Sequence, residues 1–159
     1  MTVHIRHIRT VIDMREILFR GKPKNEADYQ LFSQTWKDNC KDGFVYGSLV
    51  VIKKKVYICV SGLCQKNSLI NNGITTMIEV IPETVGQYTG LTDIYGMKNF
   101  EGDIINVYFT DEIKKGIVKY NEDTCRFTYV DKCKHHYLLS SSLRIKVIGN
   151  IHNNPELLK

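Results

Sequence analysis

This chain is poor in the residues that break structure or carry recognisable chemistry. It has three prolines and one tryptophan in 159 residues and no low-complexity tract, a composition that excludes a proline-rich or disordered chain. No apolar run approaches the roughly 20 residues that a membrane helix needs, so no membrane partner is expected. The opening stretch, MTVHIRHIRTVID, carries basic residues but no uninterrupted apolar core, and it does not read as a secretory signal. There is no G-x-x-x-x-G-K-S/T or G-x-G-x-x-G phosphate loop and no G-x-S-x-G elbow. Cys125, Cys133, His135 and His136 cluster in sequence, but they lack the short paired spacing of zinc ligands. With no nucleophile, base and orienter in view, the chain is expected not to be an enzyme and to use neither metal nor cofactor.

The remaining composition is that of a soluble globular protein, 43% hydrophobic and 25% charged. Five cysteines, an odd number, are scattered along a chain without an export signal, which predicts a reduced, cytoplasmic setting. A net charge of +5 tilts partners towards anions such as nucleotides or nucleic acid, although a lysine-rich solvated surface produces the same number.

Along the chain, Glu16 to Arg20 reads as a strand entering the core, ended by Gly21-Lys22-Pro23. Asn25 is a helix cap, Glu26 and Asp28 suit the positive end, and Tyr29, Phe32 and Trp36 recur at helical spacing. These residues predict an amphipathic helix from about Glu26 to Lys37 whose aromatic stripe packs on a sheet. Phe44 to Ile52 and Val56 to Ser61 form a hairpin around Lys53-Lys54-Lys55, followed by a polar loop from Gly62 to Gly73 and a strand from Thr75 to Ile81. Gly116 to Tyr120 and Cys125 to Val130 form another hairpin, and Leu143 to Ile151 a last strand. Asn154-Pro155 then starts one helical turn.

Between these lies the densest cluster of turn residues, Pro82 to Phe109. Thr92-Asp93-Ile94-Tyr95-Gly96 and Glu101-Gly102-Asp103 are turns, and Ile104 to Phe109 is a strand. Gly90, Gly96 and Gly102 are expected where a side chain would clash. Glu101 and Asp103 can in principle pair as acid and base, but acidic residues flanking a Gly between strands are chiefly turn formers. Ile94 and Tyr95 put two apolar residues on a turn tip, which makes them candidates for a subunit contact.

The same stretch carries a resemblance. Val85-Gly86-Gln87-Tyr88-Thr89-Gly90-Leu91-Thr92-Asp93, then Gly96 and Phe100-Glu101-Gly102-Asp103-Ile104, resembles the signature of the YopX family of phage and prophage proteins. Arg15 to Lys22 is similar to that family's opening segment, Gly47-Ser48-Leu49 with Tyr57-Ile58-Cys59 to a second block, and Val147 to Leu158 to its close. The resemblance implies a phage-type accessory protein. Family members place polar residues at the turn before Gly96, where Ile94 and Tyr95 stand here.

These readings predict a mainly β (α+β) fold, with N-terminal strands, one short amphipathic helix and a small antiparallel SH3-like barrel in the C-terminal half. Residues 1–13 form an extension and 14–159 one domain, with a β-rich lobe over about 14–81 and a barrel-like lobe over about 82–159. Candidate ligand-binding residues are Arg20, Gln87, Tyr88, Thr89, Gly90, Asp93, Glu101 and Asp103; candidate oligomer contacts are Ile94 and Tyr95. The leading expectation is a self-associating, non-enzymatic homo-oligomer that binds a host protein or a small anionic nucleotide signal. The alternative is a nucleic-acid-binding barrel, with Lys53 to Lys55, Lys114, Lys115, Lys119, Arg126, Lys132 and Lys134 on phosphates and Tyr120, Phe127 and Tyr129 as stacking surfaces.

Overall fold

The computed structural model describes residues 16–35, 37–63 and 73–159. The N-terminal extension, Trp36 and most of the polar loop after Gly62 lie outside the described residues. The described residues form two antiparallel sheets and one α-helix.

The first sheet is built from β1 (Phe19–Gly21), β2 (Cys40–Lys41), β3 (Phe44–Ile52), β4 (Lys55–Leu63), β5 (Gly73–Glu79), β6 (Gly86–Thr92) and β7 (Lys98–Phe100). Its order is β5-β4-β3-β1-β6-β7, with β2 paired to β3. The helix α1 spans Glu26–Thr35. As expected, the Asn25 side chain caps it, accepting the Ala27 N–H at 3.0 Å. Phe32 joins Val45, Ile58, Val60, Ile78 and Val80 in the core beneath, with Tyr29 packed alongside. Of the aromatic stripe, Tyr29 and Phe32 therefore serve packing.

Two hairpins in this sheet turn on pairs of residues with positive φ. Lys53 (48°) and Lys54 (67°) link β3 to β4, and Asp42 (54°) and Gly43 (79°) link β2 to β3. Two left-handed residues in a row give the turn whose twist matches that of the flanking strands.

The second sheet holds β8 (Asp103–Tyr108), β9 (Ile113–Asn121), β10 (Arg126–Val130), β11 (His136–Leu138) and β12 (Arg144–Asn150), in the order β11-β10-β9-β8-β12. Ile105, Val107, Val118, Tyr129, Leu139 and Ile145 form its core, with Leu91 of the first sheet packed against it. The closed barrel expected here does not form: the sheet stays open, with β11 and β12 as its edges. The reason lies in the turn between β6 and β7. Ile94 N–H donates to the Ile145 carbonyl at 3.0 Å, and Val147 N–H donates to the Asp93 carboxylate at 3.1 Å. The turn thus occupies part of the outer edge of β12, where a closing strand would pair.

The change from one sheet to the other falls at Glu101-Gly102. Gly90 and Gly96 have positive φ and open space where a Cβ would lie, so backbone conformation and not crowding demands glycine there. The chain closes in a 3-10 turn, Pro155–Leu158, as the Asn-Pro pair predicts.

Candidate functional site

A cleft of about 860 Å³ opens where the two sheets meet, within the range of small-molecule and peptide sites. Its floor is made by Arg20 from β1, Tyr46 from β3, Phe100 from β7 and Asp103 from β8. Arg20 is 6% exposed, and its guanidinium lies between the rings of Phe44 (4.7 Å) and Phe100 (4.9 Å). One terminal nitrogen donates to Asp103 Oδ1 at 2.5 Å and to the Glu101 carbonyl at 3.2 Å. Phe100 N–H donates to the other Asp103 oxygen at 2.8 Å. The buried Nε–H of Arg20 has no hydrogen-bond partner among the described residues.

The electrostatics of the floor follow from burial. Burial raises the Asp103 carboxyl above its ordinary value, against the pull of Arg20 and the Phe100 N–H. Burial also raises the Tyr46 hydroxyl, which is partly offset by the Arg20 charge. Phe44 and Phe100 lie against the faces of the guanidinium, which leaves its in-plane edges for hydrogen bonds. Cation–π contact replaces some of the lost hydration.

Three walls rise from this floor. The hairpin around Asp42-Gly43, with the 3-10 turn before it, contributes Asp38, Asn39, Lys41 and Asp42. The β6–β7 turn contributes Gly96, Met97 and Lys98, with Lys98 paired to Glu16 at 2.5 Å. The end of β12 and the loop after it contribute Gly149, Asn150, Asn153 and Asn154. That loop is self-built: Asn150 Oδ1 accepts the His152 and Asn153 N–H groups at 3.0 and 2.9 Å. Asn153 Nδ2 then reaches across to the Asp42 carbonyl at 2.8 Å and ties two walls together.

Of the candidate residues read from sequence, Arg20 and Asp103 meet on the floor, and Glu101 joins them through its backbone carbonyl. The Glu101 carboxylate instead accepts the Tyr120 N–H at 3.2 Å, so the side chains of Glu101 and Asp103 make separate contacts. Tyr88 is buried behind the floor, its ring 5.5 Å from Phe100.

Gln87, Thr89, Gly90 and Asp93 do not line the cleft. Thr89 Oγ1 donates to the Asn99 carbonyl and accepts the Leu91 N–H, and with Gly90 (φ +87°) it forms the irregularity between β6 and β7. Asp93 is a staple: its carboxylate accepts N–H groups from Tyr95, Met97 and Val147 at 2.8, 2.9 and 3.1 Å. Ile94 and Tyr95 stand out at that turn, 44% and 68% exposed.

The cleft residues that sequence reading missed had a visible signal in one case. Asp42-Gly43 is a strong hairpin dipeptide. Asp38, Asn39, Lys41 and the closing asparagines gave none, since their value comes from meeting across the seam.

Of the three stacking residues read from sequence, Tyr120 is 43% exposed, Phe127 is half-buried and Tyr129 is internal. Tyr129 is 2% exposed and stacks on Tyr137 at 5.1 Å, and Phe127 packs against the second core. His136 Nδ1 lies 3.2 Å from Thr128 Oγ1, while His135 sits against Asp131. No helix of the described residues is long and apolar enough to cross a membrane.

The family model described as YopX protein matches residues 34–159. The chain belongs to the YopX family. The match begins after the opening segment around Arg15 to Lys22, so Arg20, although central to the cleft, lies outside the matched residues. No curated protein matches this YopX-family chain. Among solved structures it is similar to the crystal structure of protein EF1440 from Enterococcus faecalis. The two are 18% identical over 92% of this chain and 100% of that one, with a TM-score of 0.43.

Proposed function

We propose that this YopX-family protein is a non-enzymatic, self-associating accessory protein of a phage or prophage. In the host bacterial cytoplasm it binds a host component in the cleft between its sheets, and its role is counter-defence. The observation that carries this reading is the cleft floor: a buried arginine, held between two rings and balanced by a buried aspartate, with its Nε–H unpartnered among the described residues. A fold gains little from burying such a pair, since an apolar pair of similar size is often as stable or more so. Its position at the base of an open cleft fits recognition better than stability alone.

The engagement of Asp103 and Glu101 in separate structural contacts favours binding over catalysis. Self-association draws on the exposed Ile94 and Tyr95, with Met97 beside them. In this reading the five-stranded sheet is an opened SH3-like module that supplies the cleft's far wall.

Native mass spectrometry of protein purified gently from a bacterial host, beside a denatured control, tests both parts. The expected result is an oligomer carrying an extra mass that denaturation releases. Replacing Ile94 and Tyr95 by Lys and Asn should reduce the oligomer to monomer with the fold intact. A clean, ligand-free monomer overturns the reading.

A further inference from the structure

We infer that the occupant of the cleft is an extended polypeptide segment bearing a lysine or arginine, and not a phosphorylated nucleotide. This rests on the cleft being the binding site and names what it takes. The argument starts from the groups left over once the protein has satisfied itself. Arg20 is balanced by Asp103 and Lys98 by Glu16. Among the described residues Lys41, Asp38 and Asp42 have no ion-pair partner, which leaves one ammonium facing two carboxylates on the walls. The net charge of +5 for the chain is therefore no guide to this site.

The uncharged groups point the same way. Asn153 donates one amide N–H to the Asp42 carbonyl, and Asn39 donates one to the Tyr46 carbonyl at 3.4 Å. The side-chain oxygens of both have no partner among the described residues. With Asp38 and Asp42 they make the open walls rich in hydrogen-bond acceptors, while the Arg20 Nε–H on the floor, without a partner among the described residues, is a donor that suits a peptide carbonyl. Phosphate oxygens only accept, so a nucleotide diphosphate would set acceptor against acceptor and anion against anion. A peptide backbone brings an N–H at each residue, and lysine and arginine side chains are donors only. Carboxamide side chains match a peptide's alternating donors and acceptors. Met97, Phe100 and Val147 along the same cleft offer apolar contact for intervening side chains.

The test is a titration of the full ¹⁵N-labelled chain, followed by amide shifts. The probes are an end-capped Gly-Lys-Ala-Arg-Gly peptide, the same peptide with Glu for both basic residues, ATP, and spermidine. The basic peptide should shift the amides of Asn39, Asp42 and Asn153, while the Glu peptide and ATP leave them in place. The double variant Asp38→Asn, Asp42→Asn should weaken peptide binding by roughly tenfold, from the loss of two exposed charge contacts, with an unchanged melting curve. Asparagine tolerates the positive φ of position 42, so the turn survives the change.

ATP shifting those amides would overturn the peptide assignment but leave the cleft as a binding site. Spermidine binding as tightly as the peptide would replace a polypeptide with a small polyamine. Silence from every probe, with a co-purifying mass in native spectra, also overturns the peptide. Silence together with a ligand-free spectrum removes the cleft reading as well.

Discussion

Two buried aspartates, ten residues apart, hold the seam between the sheets in different ways. Asp93 accepts three backbone N–H groups and fastens the β6–β7 turn onto β12. Asp103 accepts one backbone N–H and otherwise faces the Arg20 guanidinium. A carboxylate paired to backbone dipoles can be lost without leaving a charge behind. One paired to a buried cation cannot, because its removal leaves the guanidinium uncompensated in a low-dielectric site. The Asp93 end is therefore a structural joint and the Asp103 end an electrostatic one, and only the second opens into the cleft.

The largest effect that would break this contrast is at Asp103. Asp103→Ala should cost about 3–5 kcal/mol in urea unfolding, the usual penalty for orphaning a buried charge. Adding Arg20→Met should recover much of that loss, since methionine still fills the space between Phe44 and Phe100. If the double variant is as unstable as the single one, charge is not what matters at this joint.

Asp93→Ala should cost less, about 1–3 kcal/mol, because it strands backbone donors but no charge. Two of those donors belong to the exposed residues Tyr95 and Met97, where water can replace the carboxylate. The partly buried Val147 N–H loses most. Hydrogen exchange should quicken along β12 and in the turn, and leave α1 and β4 unchanged; uniform acceleration would mean that Asp93 supports the whole fold.

The smallest effect is a pH dependence on the cleft side of the seam. His152 lies 6.2 Å from the Phe44 ring. Burial, with the nearby charges of Arg20 and Lys22, lowers its pKa below the ordinary 6.5. The folded state then binds fewer protons than the unfolded chain between that lowered value and 6.5. Its stability contribution is whole above about pH 6.5 and is lost as pH falls through the folded pKa. Asp103, with its raised pKa, favours the folded state as pH drops towards 4, so the comparison must be between variants. The midpoint loss between pH 7.5 and 5.5 should be smaller in His152→Gln than in the parent; equal losses would remove His152 as the titrating group.

Local patterns were legible from the sequence. The Asn25 cap and the Tyr29–Phe32 spacing predicted α1, and the lysine triplet marked the β3–β4 turn. The acidic and glycine residues around position 102 marked a turn, and only the structure makes that turn the step from one sheet to the next, since the first sheet runs on past position 82 through β7. The Gln87-to-Gly90 segment looked like a binding patch because a polar run beside glycine looks the same whether it serves a ligand or a strand irregularity. The barrel expectation failed for a related reason. Alternation of residues marks where strands run and which side chains share a face, but whether a sheet closes depends on what lies at its edges, and the β6–β7 turn lies against β12.

The sequence alone determined a mainly β chain with one helix, its family, and the turns that fix strand direction, because each depends on residues within a few positions of one another. Only the tertiary structure decided the cleft. Arg20 and Asp103 stand 83 positions apart and Asn153 and Asp42 111 apart, and no local preference of either partner encodes the meeting. That follows from burying two apolar cores side by side, which places these polar groups at the seam where both sheets end.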